Sequence, residues 1–238
     1  MSFVPRPDYS YDGIYRSFED SLARIGVPRI DALTIHDLDI RHLGSNEQVE
    51  AAFVQLDSGG GFRALRELRE SGEIRAIGAG INFSGMIPRF IQRFEIDYFL
   101  VAMPYTLADQ IALEQEFPLC EQNNTGIIIG APFASGILAT GAIAGARYNY
   151  QEAEAKVLRK VAAIEVICRK YDVSLSGAAL QFPLFHPIVA SVVCGADSPQ
   201  QIRSNVRAFQ EIIPAEFWAD LKEEDLIAQD APLQPAVC

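Results

Sequence analysis

The residue type that most directly suggests chemistry is a histidine at the end of an apolar segment. The stretch Ala32-Leu-Thr-Ile-His-Asp37 resembles a buried strand whose C-terminal tip carries a titratable ring. An imidazole can exchange a proton near neutrality, and strand tips are where parallel barrels place catalysis. We therefore predict that His36 is catalytic, the alternative being a histidine satisfied by a strand-end contact. His42 and His186 lack this context, and we interpret them as ordinary loop or helix-end residues.

Two further segments have side chains or gaps suited to a dinucleotide. Asn82 ends an apolar run, and its amide can both donate and accept hydrogen bonds. Gly136 lies in the segment Gly130-Ala-Pro-Phe-Ala-Ser-Gly-Ile-Leu138, where missing side chains let backbone N–H groups approach a phosphate. A turn-forming asparagine and a plain surface loop are the alternatives.

A third segment, Val192 to Asn205, combines a strand end with a helix start. Gly195 and Ser198 precede a helix N-terminus that could bind an anion. The carboxylate of Asp197 would repel a phosphate but can accept hydrogen bonds from a ribose hydroxyl. Helix capping is the alternative role for Asp197, and the two roles can coexist.

The sequence predicts strands and helices that alternate along the chain. Because such alternation is typical of a parallel sheet, we expect an α/β protein with one domain over residues 1–238. The spacing of these elements is compatible with either an open doubly wound sheet or part of a barrel. Strands are predicted at 30–36, 74–81, 97–103, 125–131 and 189–194. Helices are predicted at 11–25, 46–56, 62–70, 85–94, 107–122 (broken at Pro118), 151–171, 174–182, 198–210 and 214–227.

Composition limits the class of partner. The 238 residues carry a net charge of −11, which argues against nucleic acid and against an anionic membrane as partners. The four cysteines are widely spaced, so a metal site is not expected; Cys168 and Cys194 lie in apolar runs typical of inert core thiols. Neither a secretion signal nor a membrane span is visible, so we expect a cytoplasmic protein.

The motifs together resemble the aldo-keto reductase family, over Tyr11 to about Phe209. Residues 12–26 resemble its third helix, and the segment ending at His36 its fourth strand. The segments 74–82, 99–107, 130–138 and 192–205 resemble strands five to eight. The resemblance implies a (β/α)8 TIM-barrel fold that is incomplete, with strands 4–8 present and the first three absent.

The resemblance also implies roles for individual residues. His36 would donate a hydrogen bond to the substrate oxygen, Asn82 would hold the nicotinamide amide, and the ring of Tyr105 would stack on the nicotinamide. Many relatives that use NADP have a lysine or arginine where this chain has Gly195 and Gln201, so we expect NAD, with NADP possible. The cofactor-binding residues implied are Asn82, Tyr105, Pro132, Gly136, Leu138, Gly195, Ala196, Asp197, Gln201 and Asn205.

The family's catalytic aspartate, tyrosine and lysine are not found. Tyr9, Tyr11 and Tyr15 lie at or in a helix rather than after a strand, and no lysine precedes Lys156. We expect an NAD(P)-dependent oxidoreductase of the family branch that oxidises aldoses or pyridoxal, acting on a small carbonyl or sugar substrate. This chain by itself could be inactive. The alternatives are a non-catalytic dinucleotide-binding protein and an inactive remnant; the oligomeric state is left open.

Overall fold

Strands and helices alternate in the computed structural model, which describes residues 7–233. The strands are β1 (Ala32–Ile35), β2 (Ala76–Ile81), β3 (Tyr98–Val101), β4 (Gly126–Ile129), β5 (Arg147–Tyr148), β6 (Gln151–Glu152) and β7 (Val189–Val192). The helices are α1 (Tyr11–Ile25), α2 (Ile40–Leu43), α3 (Asn46–Leu56), α4 (Gly61–Glu70), α5 (Met86–Ile91), α6 (Glu116–Gln122), α7 (Ile137–Thr140), α8 (Ala155–Tyr171), α9 (Leu175–Gln181), α10 (Pro199–Phe209) and α11 (Ala215–Glu223). Short 3₁₀ helices cover Ile111–Leu113, Ala134–Gly136 and Phe182–Phe185.

The main sheet has five strands in the order β1-β2-β3-β4-β7. Strand β1 pairs in parallel with β2, and β4 pairs in parallel with β7 across a register shift between Ile127 and Ile128. The spatial order follows the chain order, whereas a doubly wound sheet reverses direction at a switch point. The strand order therefore favours the barrel type over the open sheet, which the spacing of the motifs had left undecided.

Two local predictions need correction, and one short helix was missed. Pro118 does not break a helix, because it lies in the first turn of α6, where its missing N–H is not needed. Residues 151–152 are not helical; β5 and β6 form a small antiparallel hairpin, and α8 begins only at Ala155. The short helix α2, capped by Asp39, was not predicted because it has only one turn.

The chain divides into two compact units. The first comprises Met1–Ile81 and Gly85–Phe99, and the second comprises Asn82–Ser84 and Leu100–Cys238. The single domain expected over residues 1–238 stays a prediction.

A cluster of phenylalanines forms the centre of the first unit. Phe53 and Phe90 meet edge to face with ring centroids 5.1 Å apart, and Phe62 stacks on Phe94 at 4.6 Å. Arg93 covers the Phe53 ring, with its guanidinium 4.4 Å from the centroid. The rings come from α3, α4 and α5 and the segment that follows α5, so their burial anchors these helices.

Helix α1 lies near the start of the first unit and is fixed by its caps and by a bond to α3. Ser10 caps it by accepting the Gly13 N–H at 3.2 Å, and Gly26 ends it in a left-handed conformation. Phe18 is buried on the inner face of this helix. The N–H of Tyr9, just before the cap, donates to the Gln55 side chain at 3.0 Å and so ties the chain to α3.

The second unit has an aromatic core of its own. Tyr105 contacts Phe117 with ring centroids 4.7 Å apart and Phe182 at 5.4 Å, and the edge of His186 meets Phe117 at 4.8 Å. Burial lowers the pKa of His186. His186 is therefore a neutral core residue, which agrees with its interpretation as a residue without a catalytic role.

Cysteine burial is uneven. Cys168 is buried, and burial raises the pKa of its thiol to about 12, as expected of an inert core thiol. Cys194 is only half-buried and contacts the Asn205 amide at 3.4 Å, so its placement in the core was wrong. Over residues 7–233, no helix is long and apolar enough to cross a membrane.

Candidate functional site

His36 follows the last residue of β1, and its ring lies against the neighbouring strand β2. A Cβ built on Gly80 would come within 2.8 Å of Cδ2 and 3.3 Å of Nε2 of that ring. Only a glycine at position 80 therefore leaves room for the imidazole in this place. The side chain of His36 is still 58% exposed, so the ring is supported from one side and accessible from another.

A carboxylate lies next to the imidazole. Nδ1 of His36 is 2.8 Å from Oδ1 of Asp37, and Nε2 of His42 is 3.4 Å from the same oxygen. Asp37 adopts the left-handed backbone region with φ 57°, a conformation that is uncommon outside glycine and often found at functional sites. The structure thus gathers two histidines around one carboxylate at the tip of β1.

A second carboxylate anchors His42. Asp39 is 3% exposed. Its Oδ1 accepts the backbone N–H of His42 at 3.1 Å and also lies 2.8 Å from Nδ1 of the His42 ring. This bond pattern is the N-cap of α2. Among residues 7–233, no group of three or more histidine, cysteine or acidic side chains is arranged to hold a metal ion.

Tyr9 is hydrogen-bonded to the backbone of this cluster. Its hydroxyl donates to the backbone carbonyl of His36 at 2.9 Å. Burial raises the pKa of Tyr9, and the carboxylates of Asp37 and Asp39 raise it further. A tyrosine proton donor needs its pKa lowered, so Tyr9 supports the strand tip and is not suited to proton transfer.

A cleft of about 570 Å³ opens beside His36 within the first unit. Its volume is in the range of small-molecule sites. One wall is the segment Thr34 to Asp37, and the other is formed by residues 7–9 and by α1, whose Arg16 pairs with Asp8. The histidine is therefore accessible from a space that could admit a small substrate.

The second unit brings together the predicted residues at the start of α10. The Asp197 N–H donates to the side-chain oxygen of Gln201 at 2.9 Å, and the Asn205 amide donates to the Gly195 carbonyl at 3.5 Å. Ser198 caps the helix by accepting the Gln201 N–H at 3.3 Å. Asp197 therefore does not itself cap α10, and its exposed carboxylate is available to a ligand.

The loop before α7 has the conformation that a backbone-lined ligand site needs. Ala134, Ser135 and Gly136 all have positive φ, and Gly136 reaches 109°. A Cβ at Gly136 would meet nothing within 4 Å, so glycine is required by backbone conformation rather than by space. Pro132 and Leu138 are buried and position this loop from below rather than offering polar contacts.

Asn82 directly follows β2 and is half-buried, which is compatible with its predicted role. The prediction for Tyr105 is corrected by the structure. Its ring is fully buried among Phe117, Phe182 and His186, so neither face is free to stack on a nicotinamide. Tyr105 is a core residue, and the proline before it was an insufficient signal to place it at the surface.

A family model described as the Aldo/keto reductase family matches residues 4–225. The chain belongs to the aldo/keto reductase family. An aldo-keto reductase from Bacillus halodurans, solved in its holo form, superposes with a TM-score of 0.68 at 24% identity, covering 96% of this chain and 71% of that one. This likeness shows that the fold is of the TIM-barrel type of the family.

Two curated relatives are more similar in sequence. Pyridoxal 4-dehydrogenase of Microbacterium luteolum is 40% identical over 221 residues, which is 93% of this chain and 64% of the relative. D-threo-aldose 1-dehydrogenase of a Pseudomonas species is 35% identical over 221 residues, 92% of this chain and 64% of the relative. This aldo/keto reductase chain thus spans 64% of the length of each of these two relatives.

Sequence reasoning missed the polar residues that surround the histidine. Asp37, Asp39, His42 and Gly80 contact one another or the His36 ring, yet only His36 was predicted. One signal was present: an aspartate three residues before His42 is the spacing of an N-cap, which would have placed both residues in one turn. Gly80 carried no such signal, because its contact is with another strand.

Proposed function

We propose that this chain is the larger part of an NAD-dependent oxidoreductase that oxidises an aldose or pyridoxal. Its support is family membership, together with relatives whose names state the oxidation of pyridoxal and of D-threo-aldoses. The observation that carries the proposal is the accessible imidazole of His36 at the C-terminal end of β1, where barrels of this type place catalytic groups.

The residues at the start of α10 fit the adenosine end of a dinucleotide. They offer an exposed carboxylate at Asp197, a helix start capped by Ser198 and neutral side chains at positions 195 and 201. Such a group suits a ribose with two hydroxyls, because a carboxylate accepts their hydrogens and would repel a 2′-phosphate. The preference for NAD over NADP follows from this charge pattern.

The remaining cofactor contacts are proposed at two other places in the chain. The positive-φ loop at 134–136 would let backbone N–H groups approach the pyrophosphate, and the amide of Asn82 would bind the nicotinamide carboxamide. When bound, the cofactor supplies the hydride acceptor. The contribution of this chain is to orient the substrate oxygen at His36.

We also propose that the five strands of the main sheet are strands four to eight of the family barrel. Their spatial order equals their chain order, and β1 and β7 are the outermost members. The motif-bearing segments follow in the family's order. A full catalytic set would then need groups contributed by the first three strands of the barrel.

A non-catalytic dinucleotide-binding protein is the second candidate. Tyr9 favours it, because the pKa of this phenol is raised and the first lysine of the chain is Lys156. This candidate predicts cofactor binding without turnover.

Fluorescence titration with NADH and NADPH tests the cofactor proposal. We expect saturable binding that is tighter for NADH, and Asp197→Ala should weaken NADH binding roughly tenfold, since a hydrogen bond to a charged group contributes about 1.5–3 kcal/mol before solvent screening. Glu223→Ala, which removes an exposed carboxylate at the end of α11, is the matched control and should bind like the unchanged protein. Equal affinity for both cofactors, or an unchanged Asp197→Ala variant, would remove the basis for NAD specificity.

Turnover separates the two candidates. An NADH signal that grows with time when NAD and either pyridoxal or an aldose are added supports the enzyme. Binding of NADH without turnover by the folded chain supports the non-catalytic candidate.

A further inference from the structure

A second cleft, of about 400 Å³, lies in the second unit. It is lined by parts of the segments 109–114 and 225–230 and by Lys160 of α8, and we call it the Lys160 cleft. None of these residues belongs to the set proposed to hold the cofactor. Its volume is within the range of small-molecule sites, so a ligand could enter it independently of the dinucleotide.

The amine of Lys160 is held at this cleft by a single hydrogen bond. Its Nζ donates to the backbone carbonyl of Ala108 at 2.9 Å. The side chain is half-buried, and over residues 7–233 it has no ion-pair partner. Burial lowers the pKa of Lys160, while the nearby carboxylate of Asp109 acts in the opposite direction. A lysine amine that is partly desolvated in this way is a better nucleophile toward carbonyl compounds.

The other lysines of the chain provide internal comparisons. The chain has four lysines in all, which are Lys156, Lys160, Lys170 and Lys222. Lys170 pairs with Asp220, and this bond raises the pKa of the lysine. Lys222 donates to the Gln229 carbonyl at 2.8 Å. Lys156 lies one turn before Lys160 on the same helix and is exposed, so it is the matched control for the reactivity of Lys160.

The charge around the cleft limits the kind of ligand. Its carboxylates are Asp109, Glu114, Asp225 and Asp230, and its cation is Lys160. Asp109 is fixed, because its Oδ1 accepts the Ile111 N–H at 3.0 Å and its Oδ2 accepts the Tyr148 hydroxyl at 3.1 Å. The excess of negative charge repels anions, whereas carboxylates accept hydrogen bonds from hydroxyl groups. Leu113 and Ile227 add apolar surface, so the lining suits a small neutral molecule that carries hydroxyls.

We propose that the Lys160 cleft binds a small neutral aldehyde bearing hydroxyl groups and that Nζ of Lys160 condenses with it to form a reversible imine. The amine nitrogen adds to the carbonyl carbon, the carbon–oxygen bond breaks, and the oxygen leaves as water with the two hydrogens of the neutral amine. Nothing is oxidised or reduced in this step. Pyridoxal and open-chain aldoses belong to this class of aldehyde. The biological role of the site therefore rests on the proposed function, whereas the condensation itself does not.

Pyridoxal is the probe for this site. Sodium cyanoborohydride reduces an imine to a stable secondary amine, and peptide mass spectrometry then locates the modified lysine. In the folded, unchanged protein we expect Lys160 to be modified roughly tenfold faster than Lys156, because a bound aldehyde is held beside the amine. The rate at Lys160 should saturate as the pyridoxal concentration rises, and the preference for Lys160 should disappear in urea. Pyridoxal 5′-phosphate should react more slowly at Lys160, because the carboxylates of the cleft repel its phosphate.

Two variants separate the cleft from general surface chemistry. Lys160→Arg keeps the positive charge but removes the nucleophile, and it should lose the saturable modification. Lys156→Arg makes the same change at the exposed position and should retain it. Circular dichroism shows whether each variant is folded.

The proposal is overturned by equal rates at Lys156 and Lys160 in the folded protein, which would indicate adventitious surface modification only. It is also overturned by a rate at Lys160 that rises without saturation, or by faster reaction with pyridoxal 5′-phosphate than with pyridoxal. Because NAD is absent from these experiments, a protein that fails to bind NADH or to turn over substrate would leave their outcome intact. The two proposals can therefore fail separately.

Discussion

Gly80→Ala should move the His36 ring without destabilising the protein. The added Cβ would lie 2.8 Å from Cδ2 of His36, whereas ordinary carbon–carbon contacts are about 3.5–4.0 Å. The ring must therefore shift by roughly 0.7 Å or more, which is enough to misplace a group that orients a substrate oxygen. Since the imidazole is the exposed end of a flexible side chain, this shift costs little free energy. The alanine also lowers the conformational entropy of the unfolded chain, which favours the folded state. We expect the free energy of unfolding to change by less than about 1 kcal/mol.

Gly78→Ala is the matched control on the same strand and two residues earlier. Its Cβ would overlap the ring of Tyr98, whose Cε2 lies at 2.5 Å, and that ring is held by a hydrogen bond of 2.6 Å between its hydroxyl and Thr34. A confined ring cannot yield as the exposed imidazole does. Overpacking of this kind destabilises by about 1–3 kcal/mol.

Urea unfolding and ¹⁵N spectra of protein labelled at histidine nitrogens measure the two effects separately. Gly80→Ala should shift the His36 signals while retaining the unfolding midpoint, and Gly78→Ala should lower the midpoint. The reasoning about the Gly80 contact would be refuted by a Gly80→Ala protein with unchanged His36 signals. A large loss of stability in Gly80→Ala would show instead that the ring is not free to yield.

Three further predictions concern a cap, a loop and a buried histidine. Ser10→Ala removes the acceptor at the start of α1 and should lower the unfolding free energy by about 1 kcal/mol, while Ser21→Ala within the same helix should not lower it; urea unfolding compares them. Gly136→Ala places a Cβ at φ 109° and should destabilise by about 1–2 kcal/mol, whereas Gly195→Ala, with open space and no positive φ, should be neutral in the same assay. Because burial lowers the pKa of His186, the unfolded state binds more protons than the folded state below about pH 6.5, so stability falls as the pH is lowered through this range. His186→Phe should reduce that fall, measured as unfolding free energy across a pH series; an identical pH dependence in both proteins would contradict the assignment.

Local features of the fold could be predicted because they depend on neighbouring residues. The predicted bounds of α1 and α3 agree with the structure, in which Ser10 and Ser45 cap the two helices. The predicted strands are one or two residues too long at most ends, because apolar residues continue beyond the paired segment. The helix expected from residue 151 begins later, since the β5–β6 hairpin depends on pairing between short segments that have no periodic signal.

Some residues of the candidate site could be predicted from the sequence and others could not. His36 and the residues at the start of α10 were predictable from motif and position along the chain. The burial of Tyr105 was not, because it depends on rings from α6 and the 3₁₀ helix Phe182–Phe185 that are far away in sequence. That Asp197 does not cap α10 likewise became clear only from the structure, in which the Ser198 side chain accepts the Gln201 N–H.

The amino-acid sequence by itself determined the strand–helix alternation, the family and the histidine at the end of β1, because each depends on residue type and order. Only the tertiary structure decided which groups lie around that histidine. Gly80 lies on the neighbouring strand β2, His42 lies on the helix α2, and Asp37 has a left-handed backbone conformation. Contacts of this kind depend on register and backbone conformation, which are set when strands pair and helices pack rather than by any local pattern.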